Sequence, residues 1–147
     1  MSVEENKDLV SRIIKESADA VGDVNKLNAL VDKYYAPDAV THFASGGDVN
    51  LEQYKQLMPY MWNAFPDANT IVDDMVAEGD KVVVRYTMEG TQKGEYLGVA
   101  PTGKKITMNI VVIVRIAGGK AAEGWVLGDT FGLMIQLGAI PNPYVQR

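Results

Sequence analysis

The 147-residue chain predicts an α+β fold, with helices packed on one face of a curved, mainly antiparallel sheet. Three observations carry this reading. Up to Phe65, apolar residues recur at helical spacing. After Phe65-Pro66-Asp67 the pattern turns to strand-like alternation and β-branched runs. The composition, 47% apolar and 22% charged, is that of a globular protein with material for a core. No internal repeat or linker divides the chain, so residues 1–147 are read as one domain.

A first helix is expected from Glu4 to Ala20, with Leu9, Val10, Ile13, Ile14 and Val21 on its apolar side and Gly22 as its stop. Asp23 caps a second helix, whose stripe is Leu27, Leu30, Val31, Tyr34 and Tyr35 and whose end is marked by Pro37. A short strand, Ala39 to Phe43, precedes the loop Ser45-Gly46-Gly47-Asp48. Asn50, with Gln53 reaching back, caps a third helix bearing Tyr54, Leu57, Met58, Met61, Trp62 and Phe65. Pro59 lies inside it and removes a backbone hydrogen bond, so a kink or two short helices are expected.

Strands follow at Thr70 to Ala77, Lys81 to Glu89, Lys105 to Ile116 and Ala121 to Asp129. Glu78-Gly79-Asp80 and Ala117-Gly118-Gly119-Lys120 are hairpin turns, and Gly90 to Gly103 is a long glycine-punctuated connection. A short helix, Thr130 to Leu137, ends at Gly138, and the tail PNPYVQR is expected to be loose or to pack on a neighbour. The run from Lys105 to Ile116 is apolar on both parities, whereas a sheet packed on one face alternates more cleanly. Something is therefore expected to cover the second face, and a homodimer through the sheet is the simplest arrangement.

The bulk numbers exclude several classes. A net charge of −5, with Lys104-Lys105 as the only basic pair, argues against nucleic acid. Without cysteine there is no disulfide, thiol nucleophile or thiolate metal site, and one histidine makes any metal site improbable. The opening MSVEENKDLV has neither the basic nor the apolar part of a secretion signal, and no apolar run reaches membrane-spanning length. A cytoplasmic protein without a membrane partner is expected. No P-loop, dinucleotide fingerprint or nucleophile elbow is present.

Seven segments, in order, resemble one family: Phe65-Pro66-Asp67, Ala77-Glu78-Gly79-Asp80, Gly90-Thr91, Gly94-Glu95-Tyr96-Leu97-Gly98, Pro101-Thr102-Gly103, the Glu123-x-Trp125-x-x-x-Asp129 spacing, and Gln136-Leu137-Gly138. Together they are similar to the SnoaL-like polyketide cyclases, also called ester cyclases. The resemblance implies the cone-shaped NTF2-like fold, a curved sheet around a cavity closed by helices. It also implies cofactor-free intramolecular aldol chemistry, with an Asp near the end of the last long strand as acid/base. On spacing, that residue is Asp129. Val126-Leu127-Gly128 and the stretch around Asn109 to Val112 are more apolar than that pattern leads one to expect.

These considerations give a candidate site. Asp129 would remove a proton beside a carbonyl, its pKa raised by Trp125, Leu127 and Phe131, or else would cap the last helix. His42 would polarise the carbonyl or hold Asp129, or else sit half-buried on backbone. Tyr35, Met58, Trp62, Tyr86, Asn109 and Trp125 are the candidate wall for an apolar, carbonyl-bearing small molecule, although aromatic and methionine side chains most often form plain core. Glu123 is free to pair with Arg85 or Arg115 across the sheet. Two other readings stay open: a binding domain without chemistry, and an epoxide hydrolase built on Arg85, Asp129 and Asp73 or Asp74.

Overall fold

The computed structural model describes residues 1–144. Its elements run α1 (Val3–Asp19), α2 (Val24–Tyr34), β1 (Tyr35–Phe43), β2 (Asp48–Asn50), α3 (Leu51–Ala64), β3 (Asn69–Glu78), β4 (Lys81–Thr91), β5 (Lys105–Ala117), β6 (Lys120–Gly128) and α4 (Thr130–Gln136). The six strands form one sheet in the order β2-β1-β6-β5-β4-β3. All neighbours are antiparallel except β1 and β6, which run parallel. This is the α+β architecture expected from the sequence. The last three residues of the tail lie outside the described residues.

The helix ends follow local chemistry. Ser2 accepts from the Glu5 backbone N–H while the Glu5 side chain accepts from the Ser2 N–H, closing a capping box on α1. Asp23 caps α2 through the Lys26 N–H, and Asn50 and Gln53 form the reciprocal box on α3.

Three details differ from expectation. Helix α3 runs unbroken through Pro59, as one helix. Strand β1 begins at Tyr35 and passes through Pro37, which falls in the register shift between Tyr35 and Val40, where no ladder bond is required of it. The loop after Phe43 is a hairpin, because Asp48–Asn50 pairs back on β1.

Strand alternation divides the sheet into two faces. The inner face meets the helices: Val82 and Val84 of β4 and Ile116 of β5 pack with Leu9, Val10 and Ile13 of α1 and Leu27, Leu30 and Val31 of α2. A second cluster joins Phe65, Met88, Tyr96, Ile106 and Met108 to Leu133 and Leu137 of the α4 region. Register shifts in β1, β3 and β5–β6 bend the sheet around these helices. Among the described residues, no helix is long and apolar enough to cross a membrane.

Candidate functional site

The inner face follows from the register. On β4, Val82, Val84, Tyr86 and Met88 point inward, opposite Val114, Val112, Ile110 and Met108 of β5. Strand β6 adds Gly124, Val126 and Gly128, and β1 adds Thr41 and Phe43. Val112 and Val126 are direct partners at the centre of this surface, so the apolar stretches noticed in the sequence meet inside the fold. Apart from Thr41 and the Tyr86 hydroxyl, these positions are apolar.

Helix α3 and the start of β1 complete the wall. Tyr54, Met58 and Trp62 are spaced four apart on α3, hence on one side of it, and pack with Tyr35 and Tyr86 against the main core. The Tyr35 and Tyr54 ring centroids lie 5.7 Å apart. Tyr35 also forms part of an open cleft of about 430 Å³, with Val31, Pro37 and Leu51 and the polar rim of Asp32, Asn50, Glu52 and Lys55.

The three phenols share an electrostatic signature. Burial pushes Tyr35 well above its ordinary pKa, and its interactions with Tyr54 and then Tyr86 add to the rise. Burial raises Tyr54 too, opposed by its hydrogen bonding with Tyr35. Burial lifts Tyr86 to about 12, with Tyr54 adding to it. All three stay protonated at neutral pH and are hydrogen-bond donors. Their side chains nevertheless keep some accessible surface.

The other candidates lie elsewhere. His42 and Trp125 are register partners on the outer face, with ring centroids 5.5 Å apart. His42 is held between two carboxylates: Nδ1 lies 2.7 Å from Asp48 Oδ1, and Nε2 lies 2.7 Å from Glu123 Oε2. Glu123 also accepts from Arg115 Nε at 3.1 Å, which resolves its pairing in favour of Arg115. The bonds to Asp48 and then Glu123 raise the His42 pKa. The bond to His42, then that from Arg115, lowers the Glu123 pKa.

Asn109 is exposed on the outer face, beside Thr87, whose hydroxyl donates to Asp73 Oδ2 at 2.7 Å. Asp129 is exposed at the end of β6, where its Oδ1 accepts from the Gly132 N–H at 2.9 Å and caps α4. Its backbone N–H donates to the Asn109 carbonyl at 3.0 Å. Leu127 and Phe131, expected to wall it from water, are 60% and 52% exposed. Arg85 Nε donates to Asp74 at 2.8 Å and its guanidinium lies 3.7 Å from Asp73, so an Arg–Asp set forms on the outer face without Asp129.

The structure thus gathers Tyr35, Met58, Trp62 and Tyr86 inside, places His42, Trp125 and Asn109 outside, and leaves Asp129 at a strand end. Tyr54 completes the inner group. Its helical spacing from Met58 and Trp62 is the sequence signal that points to it. The pairing of Asp48 with His42 follows from the Gly46-Gly47 turn, which folds β2 back on β1.

A bent α+β sheet with helices on one face and an aromatic interior is the NTF2-like class of fold. The SnoaL-like polyketide cyclase model matches residues 14–137, and the chain belongs to that family. AclR, a proposed hydroxylase from Streptomyces galilaeus, is similar in structure with a TM-score of 0.79 and 31% identity, over 95% of this chain and 100% of that one. A proposed SnoaL-like polyketide cyclase from Jannaschia sp. CCS1 superposes with a TM-score of 0.83 at 26% identity, over 94% of each chain. IdmH, a proposed polyketide cyclase from Streptomyces antibioticus, gives 0.70 and 29%, over 87% of this chain and 97% of that one. No curated protein sequence matches the chain.

Proposed function

We propose that this protein encloses an apolar, carbonyl-bearing small molecule of the polyketide kind between its sheet and α3, without a cofactor. One observation carries the reading: the inner face of β4, β5 and β6 presents apolar side chains and a phenol where an acid/base pair would be required for buried proton transfer. The site binds and orients, and its phenols can donate hydrogen bonds. Names of the structural relatives, which include proposed cyclases, support a polyketide-like ligand.

A second reading has an observation of its own. Asp129 uses one carboxylate oxygen to cap α4, and no protein hydrogen bond to Oδ2 is present among the described residues. That oxygen is available as a base for cyclase chemistry at the strand end, at the position the family spacing selects. The outer face supports a further part of the proposal, a homodimer: Val76, Val83, Ile113 and Trp125 form a continuous cross-strand row on the side of the sheet away from the helices.

Native mass spectrometry of the purified protein tests the proposal. A retained neutral molecule, released on denaturation and identified as an apolar carbonyl compound, is the expected result. A protein that retains nothing and binds no naphthyl ketone at millimolar concentration overturns it.

A further inference from the structure

Tyr35, Tyr54, Trp62 and Tyr86 pack against one core cluster, and core packing does not account for the polarity of their three hydroxyls and one indole N–H. Tyr35 comes from the start of β1, Tyr54 and Trp62 from α3, and Tyr86 from the centre of β4. An interior that required only bulk would be served by phenylalanine at each tyrosine position, at no desolvation cost. Buried phenols ordinarily find a protein partner. Tyr34, the neighbour of Tyr35 in sequence, does so, donating to Glu16 Oε1 at 2.7 Å. Tyr60 accepts from the Leu97 N–H at 2.8 Å.

The inner group is different. Among the described residues, neither the Tyr86 hydroxyl nor the Trp62 indole makes a side-chain hydrogen bond, and Tyr35 and Tyr54 meet through their rings. Yet among the described residues the one fully buried side-chain polar atom left without a partner is Asn6 Oδ1. The unpartnered donors therefore face reachable space. Tyr35, whose ring packs on that of Tyr54, lines the 430 Å³ cleft.

We propose that Tyr35, Tyr54 and Tyr86, with the Trp62 indole N–H, form a recognition site for an oxygen of the bound molecule, a neutral carbonyl or its enol. Each of these groups can donate to an acceptor oxygen, and the surrounding apolar wall disfavours a bare carboxylate. Several phenols aimed at one oxygen also stabilise negative charge that develops on it, as in an enolate, without any ion inside the fold. This inference rests on the apolar-cavity reading above and specifies which atom of the ligand is held and by what.

The test compares 2-acetonaphthone with 2-isopropylnaphthalene, near-isosteric compounds with and without the carbonyl oxygen. Binding is followed by quenching of tryptophan emission and by calorimetry, on the wild type and on Tyr54→Phe, Tyr86→Phe and their double variant. The expected result is an affinity for the ketone about tenfold higher than for the hydrocarbon. That preference should shrink in each single variant and shrink further in the double variant, where Tyr35 and the Trp62 indole remain. Because Tyr→Phe removes one oxygen from a side chain that keeps its packing, thermal unfolding should confirm an intact fold. Equal affinity for the two compounds in the wild type, or a preference undiminished in the double variant, overturns the phenol assignment while leaving the apolar cavity standing. Binding of neither compound overturns the cavity reading and this inference with it.

Discussion

His42 and Glu123 meet on the outer face of the sheet with Nε2 and Oε2 2.7 Å apart, while the opposite ring nitrogen lies 2.7 Å from Asp48. A histidine whose two nitrogens both face carboxylates is best satisfied as the imidazolium, which donates from both. The arrangement is therefore a structural ion cluster, extended by Arg115, and it leaves neither ring nitrogen free to polarise a substrate carbonyl.

Its pH dependence follows from the two shifts. The His42 pKa is raised from 6.5, so its contribution is complete below that value and is lost as pH rises through the higher folded-state value. The Glu123 pKa is lowered from 4.5, so its contribution is complete above that value and is lost as pH falls through the depressed one. The cluster therefore stabilises most between pH 4.5 and 6.5. His42→Gln should lower Tm most in that window, with the difference from wild type closing at alkaline pH. A difference that is flat from pH 4 to 9 would show that the cluster does not couple to folding.

A second prediction concerns the glycine-rich connection between β4 and β5. Gln92 is fully buried and satisfied at every polar atom. Its Nε2 donates to the Val99 and Gly94 carbonyls at 3.0 and 3.2 Å, and its Oε1 accepts from the Thr102 N–H and hydroxyl at 3.0 and 2.7 Å. Gln92→Leu keeps the bulk and strands those buried partners. It should cost roughly 2–4 kcal/mol, as expected when several buried groups lose their bonds. Chemical denaturation measures this, and a loss under 1 kcal/mol would mean that water replaces the amide.

Much of the fold was legible because periodicity, caps and turns agree along the chain. The stripe Leu27, Leu30, Val31, Tyr34 is buried as its spacing predicts, and Asp23 and Asn50 cap as their positions predict. Pro37 misled at β1 because a proline tolerated in a bulge looks, in sequence, like a stop. Gln92 carried no signal, since a glutamine amid glycines reads as solvent-facing. The site was harder for a geometric reason. Parity shows that Tyr86 and Asn109 lie on opposite faces only once the register Thr87↔Asn109 is known, and parity alone does not say which face meets the helices.

The outer face yields a third prediction. Val76 is 61% exposed at one end of the apolar row that continues through Val83 and Ile113 to Trp125. Such a row on a sheet face is costly to leave in water, and a second copy covers it symmetrically. Sedimentation at micromolar concentration should show a dimer for the wild type and a monomer for Ile113→Asp, since the substitution places charge in the middle of the row. A wild-type monomer would remove the proposed interface.

The last prediction decides between binding and acid–base catalysis through Asp129. The carboxylate caps α4 through the Gly132 N–H, and a Cβ at Gly132 would collide with that same carboxylate. If the cap is its whole role, Asp129→Ala should cost about 1 kcal/mol, the usual value of an N-cap. For a chain of this size that lowers Tm by roughly 3–5 °C. Asn caps as well as Asp, so Asp129→Asn should melt close to wild type. Gly132→Ala should resemble Asp129→Ala, because it drives the capping oxygen away. Affinity for the aromatic ketone should be unchanged in all three, since Asp129 stands at the exposed strand end, apart from the phenols. Catalysis makes the opposite forecast for one variant. A lost general base reduces turnover by ~10²-fold or more, and it would do so in Asp129→Asn despite an unchanged Tm. Once a turned-over substrate is in hand, a normal rate for Asp129→Asn establishes the cap alone. A hundredfold loss at wild-type stability and affinity makes Asp129 the base and the protein a working cyclase.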